Sequence, residues 1–491
     1  MASREELDRK AKEALKSLPQ TLTVKDRMAI EHQEMPSQDP DVRKHNMDEV
    51  ALGYSEDIAV LEAQRCLNCK NKPCMSGCPV SIDIPRFIER IQNRDFKGAL
   101  SVIQEESILP SICGRVCPQE AQCQKYCTVG KALKDVDKAV AIGRLERFVA
   151  DYNASDESVP DVKAPTGKRV AVVGSGPASI ACAADVRREG HDVVMFEALH
   201  KTGGVLSYGI PEFRLPKHLV DKEIKKLEKM GVDIEKNVLI GRTRTIEELK
   251  REDGFDAIFI GTGAGLPKFM GIPGENLVGV LSANEYLTRS NLMKAYDKAN
   301  SHTPEYEGRR VAVLGGGNVA MDAARTALRL GAETVDIIYR RTRSEMPARK
   351  EEIEHAVEEG CSIRMLSQPV EILGDDKGRV RALVIRKCEL GEMDASGRRS
   401  PVEIEGSDEE IAYDEVIVAI GNASNPLIKL TTPEIEVNRK GNFIVDEETN
   451  QTNMEGVYAG GDIVLGAATV ILAMGQGRKA AKAINEYLKG K

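Results

Sequence analysis

Two runs of cysteine carry the most evident chemistry in this chain. The first holds Cys66, Cys69, Cys74 and Cys78, closed by Pro79; the second holds Cys113, Cys117, Cys123 and Cys127, with Pro118 after Cys117. Eight of the 11 cysteines fall in this one stretch. Thiolates are soft donors that suit iron and zinc. A C-x-x-C turn lets two of them reach one centre, and a closing Cys-Pro is the bacterial ferredoxin pattern, in which the last cysteine serves the other cluster. Zinc sites usually show paired C-x-x-C units across a spacer, so four close cysteines ended by Pro favour iron–sulfur over a pair of zinc ions. Counting alone gives two clusters of four cysteines each, whereas the Cys-Pro rule sends Cys78 to the second. Read the same way, Cys113 is a ligand and Glu146 an exposed helix residue. Disulfides fit poorly, because MASREELDRKAKEALKSL has no apolar stretch that would direct export.

Two glycine-rich turns come next. Gly174-Ser-Gly176-Pro177-Ala178-Ser179 follows the apolar run KRVAVV and opens a helix. Such a turn lets backbone approach a pyrophosphate, and the helix start directs free N–H groups at it. Glu197 ends the next strand, about 20 residues on, where an acid binds ribose hydroxyls. Gly315-Gly-Gly317-Asn318-Val-Ala320 repeats the turn, but its second strand ends in Arg340, Arg341 and Arg343 instead of an acid. Arginines there pair with a 2′-phosphate that a carboxylate would repel, which predicts NADPH over NADH.

These residues need elements to hold them. FIERIQNRDFKGALSVIQE and IGRLERFVADY have helical periodicity, and the chain before about residue 158 reads as helical and loop-rich. DYNASDESVPDVKAPTGK is a polar linker. Each glycine turn sits in a βαβ unit, and FDAIFIGTGA, DEVIVAIGNA and GVYAGGD read as further strands ending in Gly. Both sheets should be largely parallel, with ligands at the carboxyl ends of their strands. The fold class is therefore α/β: two Rossmann-like dinucleotide-binding domains preceded by an α-helical domain with two iron–sulfur clusters. With 41% hydrophobic residues, 30% charged residues and a net charge of -8, the composition is globular and mildly acidic. No basic block with interleaved aromatics suggests nucleic acid, and no run of about 18 apolar residues suggests a membrane. The expected location is cytoplasmic.

In this order the motifs resemble the small (beta) subunit of NADPH-dependent glutamate synthase and its relatives. These include the N-terminal half of dihydropyrimidine dehydrogenase and the large subunit of electron-bifurcating NADH-dependent ferredoxin:NADP oxidoreductase. CGRVCPQE, GGVLSYGIPEFRLPK, GGGNVAMD, YRRTRSEMPA and GVYAGGDI carry the likeness, which covers nearly the whole chain. It implies a helical cluster domain over 1–160, an FAD domain in two parts (161–288 and 423–491) and an inserted NADPH domain over 289–422. It assigns Cys66, Cys69, Cys74 and Cys127 to one [4Fe-4S] cluster. Cys78, Cys117, Cys123 and Glu146 go to the other, which makes Cys113 a neighbour. Gly203 and Gly204 begin a stretch along the FAD, Gly461 and Asp462 approach its ribityl–phosphate chain, and the helix from about Thr469 points at the flavin.

The implied activity is hydride exchange between NADP(H) and FAD, then single-electron transfer through two clusters to a partner. The expected partner is a large glutamate synthase-type subunit. The alternative is a ferredoxin or flavoprotein partner in a bifurcating complex, and the non-enzyme alternative is a redox-inactive cluster-bearing scaffold. An oligomer is expected in either enzyme case.

Overall fold

The computed structural model describes residues 3–156, 158–394 and 397–490. Up to Tyr152 every regular element is a helix. The helices Glu56–Gln64, Ile84–Gln92 and Phe96–Gln104 bury their apolar faces around Ile58, Phe87, Ile88, Ile91 and Ile103. Ser55, Asp83 and Asp95 cap their N-termini through side-chain oxygens. The helices Pro110–Val116 and Ile142–Tyr152 cross at backbone contact. A Cβ on Gly114 would lie 2.6 Å from the Arg147 nitrogen, so only glycine fits this crossing. That closeness brings the end of the first helix, Cys117, alongside the buried face of the second.

The rest of the chain contains sixteen strands among the described residues. β1 (Arg169–Val173), β2 (Asp192–Glu197), β3 (Asp233–Lys236), β4 (Ala257–Ile260) and, returning from the C-terminal end, β16 (Val457–Ala459) form one sheet in the order β16-β4-β1-β2-β3. β6 (Val280–Ser282), β7 (Arg310–Leu314), β8 (Thr334–Ile338), β9 (Ser362–Arg364) and β14 (Glu415–Val418) form the second, ordered β6-β14-β7-β8-β9. Every pairing in both sheets is parallel. Strands such as RVAVV, AIFI and EVIV are buried almost throughout, as sheets covered on both faces require. The second sheet already starts at Val280, ahead of residue 289. β10 (Ser367–Gly374), β11 (Val380–Met393), β12 (Arg399–Glu403) and β13 (Glu409–Ala412) make an antiparallel arm, and β5 (Leu266–Pro267) pairs with β15 (Asn422–Ala423) where the chain passes between the sheets. Among the described residues no helix is long and apolar enough to cross a membrane.

One buried acid in the second sheet sets a pH dependence. Glu415 is 1% exposed; its Oε2 accepts from the Gly308 N–H at 2.9 Å and its Oε1 has no partner. Burial pushes its carboxyl up to about 8 from the ordinary 4.5. Between those values the unfolded chain releases a proton that the native chain keeps, so stability falls as pH rises through this window. Glu415→Gln removes that slope. Urea unfolding should show the variant more stable than the parent at pH 8, on the order of 2 kcal/mol, and nearly equal to it at pH 4.5. An equal offset at both values would refute the assignment.

Candidate functional site

The cysteines separate into two groups. Cys66, Cys69, Cys74 and Cys127 line one small cavity together with Ile84, Ile88, Val129 and Ile142. Burial pushes the Cys66 thiol up to about 11 and the Cys74 thiol up to about 12, and the neighbouring thiols of the same group add to both. The Cys69 thiol donates to the Thr128 hydroxyl at 3.2 Å. Cys78, Cys117, Cys123 and Glu146 form the second group: Cys123 feels all three of the others, and Cys78 feels Cys117 and Glu146. Cys113 is fully buried beside Cys117, and a hydrogen bond between these two thiols is the largest cause raising Cys117. Thiols held so far above neutrality ionise against bound positive charge, which is what a metal centre supplies. Within the described residues, no three His, Cys, Asp or Glu side chains converge as a single ion would need. The first four thiols ring a cavity instead, the arrangement a cluster asks for and a tetrahedral zinc does not.

Glu146 departs from its reading as an exposed helix residue. It lies on the buried face of its helix, its Oε1 has no hydrogen-bond partner, and burial pushes its carboxyl up to about 8. The Gly114 crossing, which sequence periodicity does not reveal, turns this face inward.

The first glycine turn opens on a cleft of ≈ 400 Å³. Gly174, Gly176, Pro177, Ala178, Glu197, Gly204, Gly461, Asp462 and Thr469 all line it. Gly174 has φ +96°, and a Cβ there would meet the Gly261 carbonyl oxygen at 2.6 Å. At Gly176 a Cβ would meet nothing within 4 Å, so the space before this helix start is free for a ligand. Glu197 accepts from the Leu199 N–H at 2.7 Å and from the Ser175 hydroxyl, while Ser175 accepts from the Gly203 N–H at 2.9 Å. Ser175 thus ties the acid to the Gly203-Gly204 turn. Burial raises Asp462 to about 6, and the Ala468 N–H donates to it at 3.2 Å. The Thr469 hydroxyl caps the Val470–Lys489 helix, accepting from the Leu472 N–H at 3.4 Å. Sequence reasoning missed Thr262 as a site residue. It follows β4 in Gly261-Thr262-Gly263, lines the cleft, and has a buried hydroxyl without a partner. The glycines around it, at the carboxyl end of a parallel strand, were the available signal.

The second turn meets the same cleft through the start of the Asn318–Leu330 helix, where Asn318, Val319 and Asp322 form part of the wall. The Asn318 amide oxygen accepts from the Arg349 N–H at 2.9 Å, and the Arg349 guanidinium reaches the Arg115 carbonyl and the Gln119 side chain. Arg214 binds both Asp322 oxygens at 2.7 Å. Ala320 is buried against the second sheet, and the Gly315 N–H donates to the Ile338 carbonyl at 3.0 Å.

The three arginines do not act alike. Arg340 and Arg343 are exposed and pair with no acid among the described residues. Arg341 is buried: its guanidinium binds Asp394 at 2.6 Å and donates to the Arg399 carbonyl at 2.6 Å. It holds the antiparallel arm and is not free for a phosphate. Arg340→Ala/Arg343→Ala should raise the KM for NADPH at least about tenfold and leave NADH use nearly unchanged, since charge-assisted bonds are worth about 1.5–3 kcal/mol. Steady-state reduction of menadione with either nucleotide checks this; equal losses for both would refute it.

Residues 43–158 match the family model described as dihydropyrimidine dehydrogenase domain II, 4Fe-4S cluster, and residues 168–480 match pyridine nucleotide-disulphide oxidoreductase. The glutamate synthase [NADPH] small chain of Halomonas elongata is 37% identical over 464 residues, covering 92% of this chain and 96% of that one. The NADP(+)-dependent formate dehydrogenase subunit beta of Moorella thermoacetica is 37% identical over 442 residues; the match spans 85% of this chain and 60% of that protein's length. Among solved structures, Mycobacterium tuberculosis FprA in complex with NADPH superposes with a TM-score of 0.55 at 21% identity, over 66% of this chain and 85% of that one, a likeness of fold.

Proposed function

The chain belongs to the family of glutamate synthase small subunits, and from that premise we propose that it carries electrons from NADPH to a separate protein partner, the large subunit of a glutamate synthase-type complex. It is an NADPH-dependent flavin oxidoreductase with an iron–sulfur domain, and its cofactors are FAD, NADPH and two [4Fe-4S] clusters. The observation that carries the proposal is the cleft itself. Its walls come from the first glycine turn, from the helix start of the second, and from Val116 and Pro118, which flank Cys117. One cavity therefore touches all three parts of the electron route.

When bound, FAD supplies the exchange between a hydride and single electrons, and the clusters supply single-electron carriage. The chain's own residues orient and insulate. Gly174, Gly176 and the Pro177–Arg188 helix start receive the FAD pyrophosphate, Glu197 receives its ribose, and Gly203, Gly204, Gly461, Asp462 and Thr469 line its length. Gly315, Gly317, Asn318 and Ala320 receive the nicotinamide nucleotide, with Arg340 and Arg343 on its 2′-phosphate and Arg341 bracing them. Cys78, Cys117, Cys123 and Glu146 hold the cluster beside the cleft. Cys66, Cys69, Cys74 and Cys127 hold the outer one, where the first three are partly exposed. Alignment is the catalytic demand here, since hydride exchange needs stacking and no acid–base pair.

Anaerobic NADPH should bleach the flavin and cluster absorbance of the purified chain, and should do so faster than NADH. Added large subunit, glutamine and 2-oxoglutarate should then yield glutamate. Absence of bleaching overturns the redox reading; bleaching without glutamate overturns only the choice of partner.

A further inference from the structure

The second glycine turn and the inner cysteine group share one side chain. Arg349 follows directly on YRRTRSEMPA and, unlike Arg340 and Arg343, is buried, at 8% exposure. Its backbone lies on the nucleotide turn. The Ala348 N–H donates to the Gly316 carbonyl at 3.2 Å, and the Arg349 N–H donates to the Asn318 amide oxygen at 2.9 Å. Its guanidinium crosses to the helical part, where Nη1 donates to the Arg115 carbonyl at 2.9 Å and Nη2 to Gln119 Oε1 at 3.0 Å. These two acceptors bracket Cys117, one on each side of it in the chain.

Both contacts hold the Cys117 segment in place. Arg115 lies in the last turn of the Pro110–Val116 helix, whose carbonyls need partners from outside the helix. The Gln119 amide is wedged between the two crossing helices: its Nε2 donates to the Gly114 carbonyl at 3.4 Å, and a Cβ on Gly143 would lie 2.1 Å from that nitrogen. Gly143 is in the first turn of the helix that carries Glu146. Cys117 also feels the Arg349 charge. Two acids sit on the guanidinium, Glu351 at 3.1 Å and Glu120 at 3.6 Å, and both are partly open to water. Arg349 and Cys117 are both buried, so the field between them is weakly screened.

We propose that Arg349 is a positioning residue that ties the nucleotide turn to the Cys117 segment and, through its fixed charge, raises the potential of the inner cluster. The proposal rests on the reading above that Cys78, Cys117, Cys123 and Glu146 hold that cluster, and it adds what sets the site's tendency to take an electron. Arginine stays charged at any working pH. A buried cation beside thiolate ligands favours the state of the centre with more negative charge, which is the reduced one. The same clamp keeps Val116 and Pro118 in the cleft wall, so the cleft and the inner site hold a fixed separation.

The test uses the full cofactor-loaded chain in an anaerobic redox titration followed by electron paramagnetic resonance. Arg349→Gln should shift the reduction equilibrium of one cluster at least about tenfold toward the oxidised form, about 59 mV downward for one electron, and leave the other cluster unmoved. Arg349→Lys keeps the charge and should restore most of that shift. The Kd for NADP+ should stay unchanged in both variants, since the backbone N–H to Asn318 survives substitution. Glu351→Gln leaves Arg349 in place and removes an acid 3.1 Å from it, so the same transition should move upward, a measurement that stands even if Arg349→Gln fails to load iron. Equal shifts in both clusters, no shift in either, an Arg349→Lys protein that matches Arg349→Gln, or a downward shift in Glu351→Gln would each overturn the role of Arg349 and leave the two-cluster reading standing. A parent chain that takes up iron for one cluster only would overturn that reading, and the proposal with it.

Discussion

A chain carrying Gly176→Val will fold, keep its iron and bind no flavin. Gly176 has φ -73° and ψ -177°, a backbone that any residue adopts, and a Cβ there would meet no protein atom within 4 Å beyond its chain neighbours. The substitution therefore meets no clash at its Cβ and demands no unusual backbone. The free space lies ahead of the Pro177–Arg188 helix, whose first N–H groups have no side-chain cap. Unsatisfied donors at a helix start next to a reserved volume are what a pyrophosphate requires. Valine fills that volume. Visible flavin absorbance should fall at least about tenfold, and stability should fall only by the lost ligand contribution, about 4 kcal/mol at a thousandfold excess of FAD over its Kd. Gly174→Val is the contrasting case. With φ +96° and the Gly261 carbonyl oxygen at 2.6 Å from any Cβ, it should damage the sheet and lower soluble yield. A Gly176→Val protein that is still yellow would show that the first turn is not where FAD sits.

Both glycine turns, both parallel sheets and the helical front part were legible in the sequence because each rests on local order: an apolar run, a turn, a helix start. The cysteine grouping was legible only through the family resemblance: spacing marked the eight thiols as cluster ligands but kept Cys113 among them and did not join Cys127 to the first run. What escaped depends on approach between distant segments. Glu146 reads as a solvated helix residue until Gly114 lets Arg147 come within backbone contact and turns that face inward. Arg340 and Arg341 look equivalent as neighbours just past a strand, but the chain bends there, after β8 has ended at Ile338, and their side chains part. One stays in solvent and the other meets Asp394. Arg43, fully buried, is held by Glu358 and Glu359, more than 300 residues away, and no local pattern could have announced it.

Replacing Glu146 by alanine will impair the inner cluster, whereas Cys113→Ser will leave it in place. Both side chains lie beside Cys117, and they differ in what they lack. Cys113 is embedded among apolar neighbours and already shares a hydrogen bond with Cys117. Glu146 has a buried oxygen with no partner at all, and burial alone accounts for its raised carboxyl. A buried carboxylate is expensive unless a cation faces it, so this acid has either stayed protonated as inert filling or is poised for iron. If it is poised for iron, Glu146→Ala should release iron to a chelator at least about tenfold faster than the parent, and the surviving signal should shift in potential because a hard oxygen donor has gone. Glu146→Gln separates charge from shape: it keeps the volume and a coordinating oxygen but lacks the negative charge, so its potential should move while its iron content falls less. Were Glu146→Ala to keep both iron and potential while Cys113→Ser lost them, the thiol would be the fourth ligand. The carboxyl would then be a neutral, structural group whose removal costs only the packing of one buried side chain.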